Sequence, residues 1–525
     1  MRIALSLYSL LLASLLYAES VDEALEGFDD APVAETSIPK TVASVDDEIA
    51  GFDNGFSVPN TTEETNKDPE MAGFDDTVKS DNNESTDFSK SSEDEEGIFS
   101  NFSGKIIQQL AVGYNNEYPQ NVFASLRQTL FVDYERKFEN GLKVKVNARA
   151  FYDPIYDVGN ADYYPAEVDE LRTELWLFEA YLEWSILENL DAKLGRQVVV
   201  WGRSDSIRIT DILNPLDYRR PGMLDIEDLR LPTTMLKLDY EIDNWRISPI
   251  AIVEQRFSKY PPFGSIYYPE LNINGLPTSL PVLYSDYEAL GYPLFHIDDE
   301  SYTDVTFALS ANADFEGWDI SLYASRLYQD QGYMDEVQQN DAENKMEAGA
   351  KDVYIAIQHN KTNMFGGAVN YLNGSWLLKS EIAYFSDLVY SSTSDKSLSR
   401  TDILVGLEYS GLSSTTISYD FSLRYFNQYD DRLYVPFENF LERDTYQQAF
   451  RISSDFINDT LHLNYLVSIF GKQADEGGFQ RAWVDYEVAD AINTKFGIVD
   501  YIDGSPLFER VSTQNIVFMD MSYNF

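Results

Sequence analysis

Residues 142–150 read Leu-Lys-Val-Lys-Val-Asn-Ala-Arg-Ala, and apolar and polar side chains alternate along the whole stretch. Side chains of a β-strand point to opposite faces with a period of two, so this stretch predicts a strand with one apolar and one charged face. The same alternation recurs at 417–425, 461–469 and 484–488. A soluble sandwich and a membrane barrel both produce this pattern, so the period alone leaves both folds open.

The lengths of the connections favour the barrel. Eight short turns are expected, at 138–141, 187–189, 242–244, 315–317, 372–374, 410–412, 458–459 and 491–493. Nine longer links are expected, at 115–121, 154–170, 203–230, 258–302, 330–360, 391–400, 430–443, 473–479 and 504–513. The two kinds alternate strictly, as the periplasmic turns and extracellular loops of an outer-membrane barrel do. The 17 connections predict an all-β, transmembrane antiparallel β-barrel of 18 strands, with 16 as the alternative because two links are hard to assign.

The last strand supports the same fold. Apolar side chains alternate along one face of residues 517–525, and the chain given ends on the aromatic Phe525, two residues after Tyr523. This ending resembles the signal by which the outer-membrane assembly machinery recognises its substrates. It predicts that machinery as a partner and the outer membrane of a Gram-negative bacterium, with its lipid and lipopolysaccharide, as the location.

Composition excludes several function classes. The 525 residues carry 88 acidic against 39 basic side chains, and a net charge of -49 disfavours nucleic acid as a partner. Without Cys and with three His, neither thiolate metal sites nor a His-rich zinc site is expected. The mean hydropathy of -0.32 argues against a bundle of transmembrane helices. Since no nucleophile elbow, zinc-protease motif or phosphate loop occurs, we expect neither an enzyme nor a cofactor.

The N-terminal part differs from the rest. Residues 1–18 carry a positive end, an apolar run and a small residue at the cut, which predicts a signal peptide. Residues 19–97 are acidic and poor in aromatic side chains, so we expect a disordered periplasmic tether ahead of a barrel at 98–525. A Gly-Phe-Asp motif recurs three times in the tether, around Phe28, Phe52 and Phe74. The repeats fit either a solvated spacer or three weak anchors for a periplasmic partner.

Charged side chains on the polar faces of the predicted strands are expected to line the lumen. The candidates are Lys143, Lys145, Arg149, Glu179, Glu183, Lys237, Asp239, Glu241, Glu254 and Arg256. Opposite charges on neighbouring strands predict a ladder across the wall. Such a ladder fits either a stiffened wall or a transverse field at a constriction.

The link at 203–230 is unusually rich in paired charges among Pro and Gly. Its candidates are Arg203, Asp205, Arg208, Asp217, Arg219, Arg220, Asp225, Asp228 and Arg230. Ion pairs exposed to water stabilise little, whereas a loop folded into the lumen could satisfy these charges against each other and the wall. We therefore predict a plug or constriction loop, with Asp217 or Asp225 as partners of Arg219 and Arg220.

The link at 258–302 is rich in Pro and Tyr, which disfavours strand pairing. We expect it to cap the barrel mouth, with a short helix at 285–290. An aromatic cap suits a hydrophobic ligand, and it fits equally a layer that packs against the wall and lipopolysaccharide.

A resemblance to a known family lies in the region 195–232. It is carried by Gly-Arg-Gln at 195–197, Trp-Gly at 201–202, the run Asn-Pro-Leu-Asp-Tyr-Arg-Arg-Pro-Gly at 214–222 and the following Leu-Pro. They resemble the porin-like "domain of unknown function 1302" family of outer-membrane barrels, with a weaker echo at 363–367 and 378–384. Members are often encoded near inner-membrane exporters of the RND/MMPL type. The resemblance therefore implies such an exporter as a partner and a channel for hydrophobic or lipid-like small molecules. A general cation-preferring porin, and a structural anchor or adhesin that tethers a periplasmic partner, remain the alternatives.

Overall fold

A computed structural model describes residues 101–114, 123–158, 162–268, 283–435, 439–504, 508 and 511–525. The predicted signal peptide and the acidic tether lie outside the described residues, and so do Phe28, Phe52 and Phe74. The whole predicted link at 115–121 lies outside them as well, and so do parts of the links at 154–170, 258–302, 430–443 and 504–513.

The wall is one closed antiparallel sheet, in which 18 of 19 strands form the barrel and Phe123–Ser125 is a short addition beside the first. The wall strands are β1 (Phe102–Gly113), β2 (Gln128–Lys137), β3 (Lys143–Tyr152), β4 (Thr173–Leu187), β5 (Leu190–Gln197), β6 (Thr233–Ile242), β7 (Trp245–Ile252), β8 (Thr306–Phe315), β9 (Trp318–Tyr328), β10 (Lys361–Asn373), β11 (Trp376–Leu388), β12 (Leu398–Leu412), β13 (Thr415–Phe426), β14 (Asp444–Phe456), β15 (Leu461–Phe470), β16 (Gly478–Ala489), β17 (Ile492–Ile502) and β18 (Ile516–Asn524). Each strand pairs with the next, and β18 pairs with β1, so the wall has no free edge. The prediction of 18 strands is confirmed, and the alternative of 16 is wrong.

The two faces of the wall differ as the alternation predicts. Outward side chains are apolar and exposed, for example Leu175 at 79% and Phe307 at 61%, while their inward neighbours Glu174 and Ala308 are more covered. Exposed apolar surface of this extent is unfavourable in water and favourable in lipid. The strands are therefore built to span a lipid layer.

Short turns and long links leave the wall at opposite rims, which we call the short-turn rim and the long-link rim. The helices in the described residues are α1 (Pro165–Leu171), α2 (Ile226–Leu229), α3 (Tyr284–Ala289) and α4 (Glu336–Glu347), and all four belong to long links. Short 3-10 turns occur at Pro154–Tyr156, Ser391–Thr393, Asp431–Leu433 and Val511–Thr513. Both ends of the wall lie at the short-turn rim, where Phe525 and Gly104 exchange backbone hydrogen bonds of 2.9 and 2.8 Å.

None of the helices in the described residues is long and apolar enough to cross a membrane.

Three long links share an aromatic cluster at the long-link rim. Tyr164 precedes α1, Phe263 and Tyr287 come from the link between β7 and β8, and Val353 comes from the link between β9 and β10; all four are buried. Leu294–Asp299 also pairs in parallel with Asp352–Ile357, which joins the second link to the third. The expected helix at 285–290 is α3, shifted by one residue toward the N-terminus. The described part of the 258–302 link thus belongs to a folded layer over this rim.

Candidate functional site in the barrel lumen

The link between β5 and β6, residues 198–232, crosses the lumen and is called the plug below. On one side, Arg203 forms an ion pair of 2.7 Å with Asp319 on β9. On the other side, Arg220 hydrogen-bonds Gln109 on β1, and the Tyr501 hydroxyl on β17 donates to the Pro221 carbonyl over 2.6 Å. Because β9 lies across the barrel from β1 and β17, a segment with these partners occupies the interior.

The first residues of the plug explain the Gly-Arg-Gln step. Gly195 has φ +135° and lies against the backbone of Ala180, where a side chain would have no room. Gln197 is fully buried and donates to the Met235 carbonyl over 3.1 Å. The strand therefore ends in a conformation that turns the chain away from the wall and into the lumen.

Asn214, which opens the Asn-Pro-Leu run, joins the two ends of the plug. Its side-chain oxygen accepts from the Val199 amide over 2.8 Å, and its side-chain nitrogen donates to the carbonyls of Gln197 and Leu231 over 3.3 and 3.0 Å. These bonds satisfy backbone groups that are buried in the lumen and would otherwise be left without a partner.

The Trp-Gly step brings the backbone to Glu381 on β11. The Trp201 ring stacks on Tyr323 with centroids 4.7 Å apart, and Gly202, at φ +94°, faces the Glu381 carboxylate. Glu381 is 2% exposed and accepts from the amides of Arg203, Ser204 and Thr210 and from the Thr210 hydroxyl. Sequence reasoning missed Glu381, although it lies on the polar face of β11, two residues after Lys379, within the echo at 378–384.

Apolar side chains fix the plug on two sides of the lumen. Ile207, Ile209 and Leu213 belong to a buried cluster with wall residues such as Met364 and Leu404. Met223 belongs to a second cluster formed mainly by β15–β18 and the adjoining links. Each side chain of this size contributes roughly 1.5–3 kcal/mol when fully buried. The plug is thus held by packing as well as by charge.

Some candidate charges pair within the plug. Arg208 and Arg230 both pair with Asp211, at 3.2 and 3.0 Å. Arg219 pairs with Asp217 at 2.6 Å, and also with Glu174 on β4. Burial opposes ionisation of Asp217, but the hydrogen bonds and charge of Arg219 outweigh it, so the pKa of Asp217 is lowered.

Other candidates pair with the wall instead. Asp205 pairs with Lys379 on β11 at 3.1 Å, and Asp225 pairs with Arg481 on β16 at 3.3 Å. Asp225 is therefore not the partner of Arg219 or Arg220. Asp217 pairs with Arg219 and not with Arg220, so neither predicted partner of Arg220 is correct. The sequence of the plug does not indicate which residues of the wall its charges pair with, because these wall residues are distant in sequence.

The plug covers one side of the lumen more than the other. Inward side chains of β9–β13 are at most 5% exposed at Asp319, Ser321, Lys379, Glu381, Glu408 and Asp420. Cationic inward side chains on the other side stay partly exposed, namely Lys105, Lys143, Lys145, Arg149, Lys193 and Lys237. These cations of β1–β6 therefore remain accessible in the lumen, although inward residues of the same strands, such as Asp133 and Phe151, are buried.

Helix α2 presents acids to this accessible side. Asp228 is exposed to the lumen and interacts electrostatically with Arg149 on β3, Lys495 on β17 and Lys105 on β1. Burial raises the pKa of Glu227 to about 8, and the nearby carboxylate of Asp205 adds to the shift. The arrangement places the acidic side chains of α2 opposite Arg149, Lys495 and Lys105, which we call the basic strip.

The ladder candidates take several kinds of partner. Lys145 pairs with Glu179 at 3.2 Å, Lys237 with Asp239 at 3.3 Å, Lys143 with Glu135 at 2.9 Å and Glu241 with Arg246 at 3.1 Å. Arg149 lies over the Phe178 ring, 3.2 Å from its centroid, and Glu183 lies opposite Lys143 and Lys193 in the sheet.

Glu254 and Arg256 differ from the expectation, because β7 ends at Ile252 and both residues follow it. Glu254 pairs with Arg196 and accepts from Thr234, whose side chain lies on the face opposite the inward Met235. The backbone leaves the strand pattern at this point, so the alternation no longer predicts their direction.

The chain is similar to one protein family and to several solved structures. A family model described as "Protein of unknown function (DUF1302)" matches residues 80–462. OccAB3 of Acinetobacter baumannii is similar in structure at 12% identity and a TM-score of 0.44, over 81% of this chain and 99% of that chain. The outer membrane protein OpdK of Pseudomonas aeruginosa is similar at 10% identity and a TM-score of 0.45, over 81% and 99%. No curated protein matches the chain.

Proposed function

The chain belongs to the DUF1302 family, and from the geometry of its lumen we propose that it is an outer-membrane channel for hydrophobic or lipid-like small molecules. The observation that carries the proposal is the plug, which packs against β9–β13 and leaves a row of inward cations on β1–β6 accessible. A wall with an apolar exterior and a partly open, charged interior suits passage across a membrane. The proposed role is transport and not catalysis.

The location and orientation are part of the proposal. An even number of strands brings both ends of the wall to the short-turn rim. In outer-membrane barrels the short turns face the periplasm, so this rim and the 19–97 tether are assigned to the periplasm. Contact of the long-link rim with lipopolysaccharide follows from the same orientation.

The constriction is proposed to lie between α2 and the basic strip. Asp228 on one side, and Lys105, Arg149 and Lys495 on the other, set a field across the passage. Such a field orients a solute with a polar end while its apolar part passes along the wall. Amphipathic molecules fit this arrangement better than sugars do.

The test is conductance of the refolded protein in planar bilayers under a salt gradient. At pH 9, where Glu227 is ionised, Asp228→Asn together with Glu227→Gln should reduce the preference for cations, because both changes then remove acidic charge at the constriction. Asp490→Asn, in an exposed turn, is the matched control and should leave the reversal potential unchanged. If neither the intact protein nor a variant without residues 203–230 conducts ions, the channel proposal is wrong.

A general cation-preferring porin is the second candidate, supported by the excess of 88 acidic over 39 basic side chains. Swelling of protein-loaded liposomes separates the two. A general porin admits small sugars and amphipathic compounds at rates set by size. The proposed channel admits the amphipathic compounds preferentially.

A further inference from the structure

Two long links at the long-link rim are joined by reciprocal histidine–aspartate pairs. Nε2 of His359, two residues before β10, lies 3.0 Å from the carboxylate of Asp299 in the link between β7 and β8. In the opposite sense, Nε2 of His296 in the link between β7 and β8 lies 3.0 Å from the carboxylate of Asp352 in the link between β9 and β10. Both pairs border the parallel pairing of these two links. Imidazole is the side chain whose ordinary change of charge falls between about pH 5 and 8.

The surroundings of His359 require a charged ring. Its side chain is 1% exposed, and its Nδ1 lies 2.8 Å from the backbone carbonyl of Gln329. A carbonyl and an ionised carboxylate only accept hydrogen bonds, so the two contacts need a proton on each ring nitrogen, which only the imidazolium has. The ring of Phe257 stacks on His359 with centroids 3.3 Å apart, and an aromatic face attracts a cation. A neutral ring would turn a lone pair toward either Gln329 or Asp299 and lose one of the two contacts.

The other groups around His359 that titrate or carry charge lie on the same links and on the adjoining strand ends. The Tyr302 hydroxyl accepts from the His359 amide over 2.8 Å and donates to Glu300. Burial raises the pKa of Tyr302, so this hydroxyl stays protonated between pH 6 and pH 9. Tyr328, at the end of β9, packs on Tyr302 with centroids 4.2 Å apart. The charged side chains beside these tyrosines pair with each other at 2.7 Å, namely Asp304 and Lys361.

We propose that His359 is a pH-dependent switch in the folded layer over the long-link rim. With a charged ring it holds Asp299 and the Gln329 carbonyl together, so the link between β7 and β8 stays attached at the start of β10. When the pH rises and the ring loses a proton, one of the two contacts places lone pairs against each other and the layer loosens at this point. The partly exposed pair of His296 and Asp352 contributes little. This behaviour does not depend on which solutes the barrel conducts.

Limited proteolysis of the refolded full-length protein measures the loosening. The rate of cleavage in the link between β7 and β8 is taken for His359→Gln and divided by the rate for the intact protein at the same pH, which cancels the response of the protease itself. This ratio should be about tenfold at pH 6, as for the loss of one charge-assisted hydrogen bond. At pH 9 it should approach one, because the intact protein has then lost the contact as well. A ratio of one at pH 6, or an equal increase at both pH values, would overturn the switch.

The chain supplies a matched control, because its third histidine also contacts an aspartate. His462 on β15 contacts Asp455 on β14 through Nδ1, in the wall and not in the layer. His462→Gln should keep the ratio at one at both pH values, and His296→Gln should raise it less than His359→Gln does. An increase in His462→Gln as large as that in His359→Gln would mean that the effect does not arise in the layer.

Asp299→Asn separates a titrating contact from lost packing. The amide nitrogen of Asn donates to a neutral Nε2, which an ionised carboxylate cannot do. Cleavage of Asp299→Asn relative to the intact protein should therefore rise at pH 6 and fall below one at pH 9. Asp298→Asn, at an exposed neighbouring position, is the control and should leave the ratio at one. Faster cleavage of Asp299→Asn at both pH values would contradict the switch.

Nuclear magnetic resonance of protein carrying isotope-labelled histidine observes the proton directly. With three histidines in the chain, the ring signals of His359 are identified by their absence in His359→Gln. They should change from a doubly to a singly protonated ring over the same pH interval in which the layer becomes easier to cleave. A ring that keeps one protonation state from pH 6 to pH 9 while the layer loosens would assign the switch to another group and overturn the proposal.

Discussion

Glu381 holds the plug through a single carboxylate. Four donors from Arg203, Ser204 and Thr210 converge on it in a place where water is excluded. A buried carboxylate is stable only when its oxygens are well hydrogen-bonded, and buried amides in turn need an acceptor. Removing the carboxylate therefore leaves several buried donors without a partner.

We expect Glu381→Ala to weaken the inserted position of the plug by about 3 kcal/mol, because at least one buried donor loses its acceptor outright. Single-channel recordings should show larger and more frequent openings. Glu188→Ala, in an exposed turn, is the control. A Glu381→Ala channel with the intact protein's current trace would show that the plug does not depend on this contact.

Glu227 predicts a dependence on pH. Its pKa is raised to about 8 by burial and by Asp205, with Asp228 and Asp225 adding to the shift and Arg230 opposing it. The folded state thus favours the protonated form, so the stability that this group contributes is lost as the pH rises from its ordinary range through about 8. Over the same interval the constriction gains a negative charge.

Cation preference should accordingly increase between pH 7 and pH 9, as read from reversal potentials under a salt gradient. Glu227→Gln should remove this increase, because its amide does not titrate. A rise of the same size in Glu227→Gln would assign the titration to another group.

Partners at the residue scale were predictable only where they are close in sequence. Asp217, two residues from Arg219, was expected and is one of its partners. Asp225 was expected to pair with an arginine of the plug, but its partner is Arg481 on β16. Glu381 was missed, since no local pattern relates a carboxylate on β11 to amides near Arg203. Closure of the barrel alone brings them together.

The plug is the element on which the proposed function depends, and the wall does not need it for closure. Strand pairing joins every neighbour from β1 to β18 and returns to β1. The plug, by contrast, contacts the wall mainly through side chains and does not pair with any wall strand in the described residues. Its two apolar clusters stabilise the assembly without defining the sheet.

Replacing residues 203–230 by a short Gly-Ser linker should raise conductance several-fold, because the lumen loses its filling while the wall stays paired. The thermal midpoint should fall, since the apolar contacts of Ile207, Ile209 and Met223 are lost. Planar-bilayer recordings and heat-modifiable migration measure the two effects. Unchanged conductance would mean that the plug is not what limits the current.

At the scale of the element, the wall strands were predictable because strand alternation and turn length are local properties of the chain. The segment 142–150 shows both faces of β3 in nine residues, and its register against β2 follows from the turn at 138–141. The small helices of the long links are less predictable, because α1 and α3 are stabilised by an aromatic cluster drawn from three links. The prediction that Glu254 points into the lumen is wrong, because β7 ends at Ile252 and strand alternation does not extend to Glu254.

The two rims of the barrel differ, and the proposed orientation places the short-turn rim in the periplasm and the long-link rim at the cell surface. Protease added to intact cells should leave the 19–97 tether uncut and cleave, if anywhere, within 258–302 or 330–360. Immunoblots against the tether and the barrel distinguish the fragments. Permeabilised cells are the control, in which the tether should be cut readily because it is exposed to the protease. Cleavage of the tether on intact cells would reverse the proposed orientation.

The partners of the plug also constrain when it can find its place during folding. Ser204 bonds Asp420 across 216 residues of chain, Asp225 pairs with Arg481 across 256, and Pro221 meets Tyr501 across 280. The wall strands, in contrast, pair mostly with the next strand in sequence. Contacts of such long range form late, because the chain between them must be ordered first. A chain stopped before β16 would thus carry a plug without its contacts to Arg481 and Tyr501, exposing Met223 and the charge of Asp225 to quality-control proteases.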